Sequence, residues 1–148
     1  MRFVKQLRTR AGEESGFTLI ELLVVMLILG ILAAIAIVAF LNQSNKANDS
    51  QAKTTARTME TAMEACAVDN GGDYSTCDVG KLRTVETSLP QTGTSIRATS
   101  TSNTYSVEAD SKTNNVFIIA RNSSGAVTRS CTVPSGNDRG ACKAGDTW

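Results

Sequence analysis

Gly16-Phe17-Thr18-Leu19-Ile20-Glu21-Leu22-Leu23-Val24-Val25 opens the stretch that decides the fold, and the apolar run it begins ends only at Leu41. Leu22 to Leu41 is 20 residues without a charge, 14 of them Leu, Ile, Val or Phe. At about 1.5 Å per residue, a helix of that length covers roughly 30 Å, the thickness of a hydrocarbon core. Each such side chain favours insertion by about 0.3–0.6 kcal/mol. An acid at the bilayer centre costs roughly 3 kcal/mol, and less near an edge, where Glu21 lies. Insertion therefore wins despite Glu21.

Both flanks of the run differ sharply from it. On the N-terminal side, Arg2, Lys5, Arg8 and Arg10 stand against Glu13 and Glu14. By the positive-inside rule these cations hold that end in the cytoplasm, so whatever follows Leu41 lies across the membrane. Beyond Leu41, Asn, Ser, Thr, Ala and charged residues dominate. A secretory signal would carry an apolar stretch of about 7–15 residues and a small-x-small cut. Ala34-Ile35-Ala36 offers such a cut, but the run is too long and stays apolar beyond it. A plain single-span anchor explains the length and the basic flank. It leaves unexplained an acid at the start of the run.

The segment from Gly16 to Val25, continued by Gly30-Ile31-Leu32-Ala33-Ala34-Ile35-Ala36-Ile37, closely resembles the processing motif of type IV prepilins and pseudopilins. Cleavage glycine, following aromatic and acid keep the family spacing. The resemblance implies that a membrane aspartyl peptidase, the prepilin peptidase, cuts between Gly16 and Phe17. It implies N-methylation of the new terminus at Phe17, and it places the family's assembly acid on Glu21. One departure is Val38, where many major pilins have proline. Proline would remove a helix hydrogen bond and permit local melting; Val38 does neither, which tilts the expectation toward a minor pilin or a pseudopilin.

The chemistry of the motif can be argued directly. A cut before Phe17 creates an α-amine with a pKa of about 8, mostly cationic at neutral pH. Glu21 lies one helical turn on. Among packed apolar helices both charges leave water, and a paired buried charge costs far less than a lone one. Pairing with the amine of a neighbouring chain would set the axial register between subunits.

Helical character continues past the run. Residues 42–69 contain neither Pro nor Gly, and Ala52, Ala56, Met59, Met63 and Cys66 recur on one face. Lys53, Arg57, Glu60 and Glu64 read as the other face, and Asn70-Gly71-Gly72 as the stop. Asp78 is expected to cap a short helix over Val79–Leu82. Residues 84–103, rich in Thr and Ser, read as a surface segment. Tyr105 to Ala109, Val116 to Ala120 and Ala126 to Val133 read as strands, the middle one central because it is apolar on both faces. The expected fold is α+β: a long N-terminal helix, transmembrane in its first half, packed on a three- to four-stranded antiparallel sheet. This is also the pilin architecture the resemblance implies. The expected organisation is a leader at 1–16, a membrane and filament-core helix at 17–41, an amphipathic outer half at 42–69, and a globular part at 70–148 carrying the sheet and a C-terminal disulfide loop.

Cys66, Cys77, Cys131 and Cys142 all lie on the exported side, where an even count suggests two disulfides. Three connectivities exist. The local pairs, Cys66–Cys77 and Cys131–Cys142, are favoured because each spans 11 positions and closes a Gly-containing loop. The second resembles the C-terminal disulfide loop of many type IV pilins. Zinc is the alternative, but there is no Cys-x-x-Cys and histidine is absent. That absence also removes the commonest acid–base catalyst near neutral pH. Near-neutral net charge gives no overall field for nucleic acid, although Arg129, Arg139 and Lys143 could gather as a small basic patch. Residues 69–73 lack a full calcium-loop pattern and read as a helix stop. Asn42, Asn48 and Asn122 begin short matches to glycosylation acceptors.

No cofactor, metal or catalytic residue is expected. The resemblance implies a structural subunit of a type IV pilus serving adhesion, motility or DNA uptake. The alternatives are a pseudopilin of a type II secretion system, a minor competence pilin, or a membrane-anchored binding domain that never polymerises. The implied partners are other copies in a helical filament, a prepilin peptidase, an assembly ATPase and a membrane platform, with DNA or surface ligands beyond them. The implied location is the inner membrane as a single-pass precursor, then an extracellular pilus.

Overall fold

The computed structural model describes residues 16–93 and 95–148. The leader cations Arg2, Lys5, Arg8 and Arg10 lie outside the described residues. Helix α1 spans Leu19–Asp69 and helix α2 Val79–Val85; strands β1 to β4 are Ile96–Ser100, Tyr105–Asp110, Val116–Arg121 and Val127–Thr132. The chain divides into two units, one ending at Val38 and the other running Ala39–Trp148.

In the first unit, every residue from Gly16 onward is exposed, and α1 runs through Gly30 and Val38 without a break. This α1 is the described helix long and apolar enough to cross a membrane.

In the second unit, the four strands form an antiparallel sheet in the order β1-β2-β3-β4. The register aligns Ile96, Ala109, Phe117 and Cys131 in one cross-strand row and Ala98, Val107, Ile119 and Arg129 in the next. Because side chains alternate along a strand, these rows share a face. The buried face of α1 packs on it, with Ala52, Ala56, Met59, Ala62, Met63 and Cys66 joining Tyr105, Val107, Phe117, Ile119 and Cys131 in one core. The alanines allow close approach, and the unbranched methionines fill the irregular gaps between helix and sheet.

The stops and turns follow from local chemistry. Gly71 (φ 69°) lets α1 end in a left-handed residue, with Gly72 N–H donating to Ala67 C=O and Gly71 N–H to Val68 C=O. The acidic stretch around residues 69–73 is thus a helix stop. Asp78 caps α2, its Oδ1 accepting from Lys81 N–H at 2.8 Å, and α2 runs three residues past the expected Leu82. Cys66 is bonded to Cys77 and Cys131 to Cys142, leaving no free cysteine among the described residues.

Two expectations need correction. Strand β1 lies in the stretch read as surface segment. Its large apolar side chain is Ile96 alone, so alternation is weak. What holds it is Arg97, whose guanidinium donates to Glu108 Oε2 and to both oxygens of Asp110, each at 2.8 Å. The charges of α1 also do not form a far face. Lys53, Arg57, Glu60 and Glu64 each follow a stripe residue by one position, which is about 100° of helix. They therefore flank the stripe: Lys53, Glu60 and Glu64 meet side chains of the sheet, and Arg57, exposed, lies over the Trp148 ring. The solvent face instead carries Ser50, Thr54 and Thr61, whose hydroxyls donate to backbone carbonyls one turn earlier.

Candidate functional site

The start of α1 is built by Thr18 and Glu21. Thr18 C=O accepts from Leu22 N–H at 3.3 Å, the first bond of the helix. Thr18 Oγ1 accepts from Glu21 N–H at 3.3 Å and donates to Glu21 Oε2 at 2.7 Å. Thr18 N–H also donates to Oε2, at 2.9 Å. This reciprocal box satisfies two backbone donors that a helix start leaves open. It gathers the bonds of Glu21 on Oε2, while Oε1 makes none of them.

Gly16, Phe17 and Thr18 precede the helix and are not helical. Phe17 is 88% exposed. The three residues singled out in the sequence are therefore brought together: the Gly16–Phe17 bond, the residue that would become the terminus, and the acid one turn into the helix. The side chains from Leu19 to Leu41, including Ile28, Ile35 and Phe40, are all exposed, so this helix face and its opposite alike lack a partner among the described residues.

A second polar constellation lies in the other unit, and only its position in a glycosylation-like triplet drew notice to it in the sequence. Asp49, on α1, has no exposed surface. Thr113 Oγ1 donates to Oδ1 at 2.5 Å; Asn115 Nδ2 and Ala141 N–H donate to Oδ2 at 3.0 and 2.9 Å. Gly140, at φ 53°, passes so close that any Cβ there would collide with Asp49 Oδ2. Asn115 Nδ2 faces the carbonyl of Asp138 as well, which fixes the amide's orientation and leaves its Oδ1 buried without a partner. One turn on, Lys53 Nζ donates to Ala141 C=O at 2.6 Å and sits over the Phe117 ring. The knot thus ties α1 to the β2–β3 turn and to the C-terminal disulfide loop. Burial by itself would raise the pKa of Asp49; donors from Ser111, Thr113, Ala141 and Asn115 outweigh it and leave the carboxyl below its ordinary range.

Further along α1, Glu64 accepts from the hydroxyls of Tyr74 and Tyr105 at 2.7 and 3.0 Å and lies 3.6 Å from Arg121. Burial, then the bond to Glu64, pushes the Tyr105 hydroxyl well above its ordinary pKa. Glu60 pairs with Arg129 at 3.1 Å.

The basic patch that Arg129, Arg139 and Lys143 could have formed is only partly assembled. Arg129 is turned to Glu60 on the sheet's inner row, and Arg139 pairs with Asp146 at 2.7 Å while donating to the Lys143 carbonyl.

The family model for the prokaryotic N-terminal methylation motif matches residues 13–37, which contain the whole helix start described above. No curated protein and no solved structure matches the chain.

Proposed function

We propose that this chain, which carries a type IV prepilin leader and is pilin-like by its N-terminal methylation motif, is a structural filament subunit. It waits in the membrane as a precursor, is cut between Gly16 and Phe17, and polymerises through the helix that starts at Leu19. The observation that carries this reading is the pairing of the motif with an apolar helix whose side chains find no partner among the described residues.

Water cannot host that helix. A fully exposed Leu, Ile or Phe forgoes about 1.5–3 kcal/mol relative to burial. Lipid accepts it before assembly, and other copies of the same helix accept it afterwards. Lipid tails are about as apolar as leucine, so the exchange has little hydrophobic driving force and is decided by packing and by charge. Removing residues 1–16 discards the cations that anchor the precursor's orientation. It also leaves a cationic amine on Phe17, which the resemblance gives as the site of N-methylation. Glu21 Oε1 then receives the amine of a neighbouring chain, neutralising both charges inside the bundle. In this reading the chain is the substrate of a prepilin peptidase and the cargo of an assembly ATPase and platform, and catalyses nothing itself. The mature subunit ends in an extracellular pilus.

Glu21→Gln tests the pairing, because it can still accept the Thr18 bonds but carries no charge. The variant should lose its leader normally yet yield few filaments in sheared surface fractions; filaments in normal number would refute the role given to Glu21. A second reading, a secretion pseudopilin or minor pilin, is favoured by one observation: α1 passes through Val38 unbroken. Electron microscopy separates the two, since abundant long fibres made of this chain belong to a major pilin alone. Engagement of Arg129 and Arg139 by acids gives a DNA-uptake role less support.

A further inference from the structure

We propose that the Thr18–Glu21 box is a presentation device for leader removal, with Thr18 as its positioning residue. This rests on the processing reading above and adds to it the reason the bond is cleavable. Hydrolysis of the Gly16–Phe17 peptide adds water to the Gly16 carbonyl carbon. The C–N bond breaks, Gly16 keeps the new carboxylate, and the Phe17 nitrogen leaves as the amine with the proton from water. A peptidase must therefore reach the Gly16 carbonyl from one face and the leaving nitrogen from the other. A helix denies both, because it wraps the backbone and engages each carbonyl with the N–H four residues on. Exposed, non-helical segments are accordingly where chains are cut.

The difficulty is local. The cut lies two residues from a long apolar helix, and such a helix propagates into its flanks at little cost once begun. The box stops it. Thr18 takes the N-cap position, with its C=O starting the helix and its Oγ1 and N–H closed on Glu21. Leu19 becomes the first helical residue, and Gly16 and Phe17 are left non-helical and exposed. Gly16 adds its own poor helix propensity. Without Thr18, the next upstream side chain able to cap is Ser15, and a helix begun there would enclose the Gly16–Phe17 bond in its first turn. The device is also free of the later charge pairing: both bonds that the Glu21 carboxylate accepts in the box go to Oε2, so closing the box before the cut leaves Oε1 for the amine after it.

The experiment follows leader removal over time, by mass, in membranes holding the full-length chain and a prepilin peptidase. Thr18→Val matches threonine in shape but cannot cap, and its cleavage should slow by roughly fivefold, the population change that losing an N-cap produces. Thr18→Ser and Thr18→Asp differ in shape but cap well, and should restore the rate. Glu21→Gln, which can still close a capping box, should be cut at the wild-type rate. Cleavage of Thr18→Val at the wild-type rate would overturn the proposal. So would equal slowing of Thr18→Ser and Thr18→Asp, because the peptidase would then be reading side-chain shape. Gly16→Asp is the separate control: if that variant still loses its leader, the cut lies elsewhere and the processing reading fails as well.

Discussion

Asp49 has no exposed surface, and a carboxylate in that position persists only where donors surround it. Thr113, Asn115 and the Ala141 N–H supply them, drawn from two separate stretches of chain, the β2–β3 turn and the C-terminal loop. Asp49→Ala would strand all three donors in a buried site, and we expect a loss of roughly 3–5 kcal/mol, read from urea unfolding. The same knot sets a pH dependence. The folded pKa of Asp49 lies below its unfolded value near 4, so its stabilisation is complete above about pH 4 and is lost as pH falls through the folded pKa. Tyr105 works in the opposite direction. Its folded pKa is raised, so its contribution is complete below about pH 10 and disappears as pH climbs. Unfolding at a series of pH values should give a plateau with both flanks, and Asp49→Asn should flatten the acid flank while lowering the plateau. An acid flank as steep in Asp49→Asn as in the wild type would contradict this assignment. None of this was readable from the residues themselves. Asp49 is one more polar residue in a polar stretch, and its burial depends on Gly140 and Asn115 arriving from far along the chain. The one local hint is its place on the stripe, since Asp49 precedes Ala52 and Ala56 at spacings of three and four.

The elements divide by how local their causes are. The helix α1 was legible to its last residue because its causes are consecutive: an apolar run, no Pro or Gly over 42–69, a small-residue stripe and a glycine stop; its start, expected at Phe17, falls at Leu19 because Thr18 caps it. The strands β2 and β3 announced themselves by alternation and by a doubly apolar run, and β3 does lie between two neighbours in the sheet. The strand β1 could not be seen, since only Ile96 marks its buried face and its strongest ties run sideways from Arg97 to β2. The charged flank of α1 was misplaced by the width of one residue step, because a flank and a far face look alike until the sheet supplies Arg129, Tyr105 and Arg121 as partners. Both cysteine pairs close loops of equal separation, 11 positions. A loop of that size contributes about 3 kcal/mol by restricting the unfolded chain. Replacing Cys66 and Cys77 by serine should therefore lower stability by a similar amount to replacing Cys131 and Cys142, provided the second loop adds nothing else. It does add something, because it holds Ala141 and Gly140 against Asp49. We accordingly expect the Cys131/Cys142 double variant to be the less stable of the two in thermal unfolding; the reverse order would mean the knot survives without its disulfide.

For the whole molecule, a single physical problem organises the proposed function: one unit buries its core within itself, and the other has an apolar helix that none of the described residues covers. The methylation motif at residues 13–37 joins that helix to a leader. Together they support the proposal that the chain lives first in lipid and then among copies of itself, with a cleavage between the two lives. Thr18, Glu21 and the Gly16–Phe17 bond were visible in the sequence as a motif. Their hydrogen-bonded arrangement, with one carboxylate oxygen engaged and the other available, required the structure. The decisive measurement is the intact mass and N-terminal sequence of this chain recovered from sheared surface material. The result we predict is a product beginning at Phe17, carrying one methyl group on its amine and two disulfides. A surface product that keeps Met1 through Gly16, or one that begins well beyond Glu21, would contradict it.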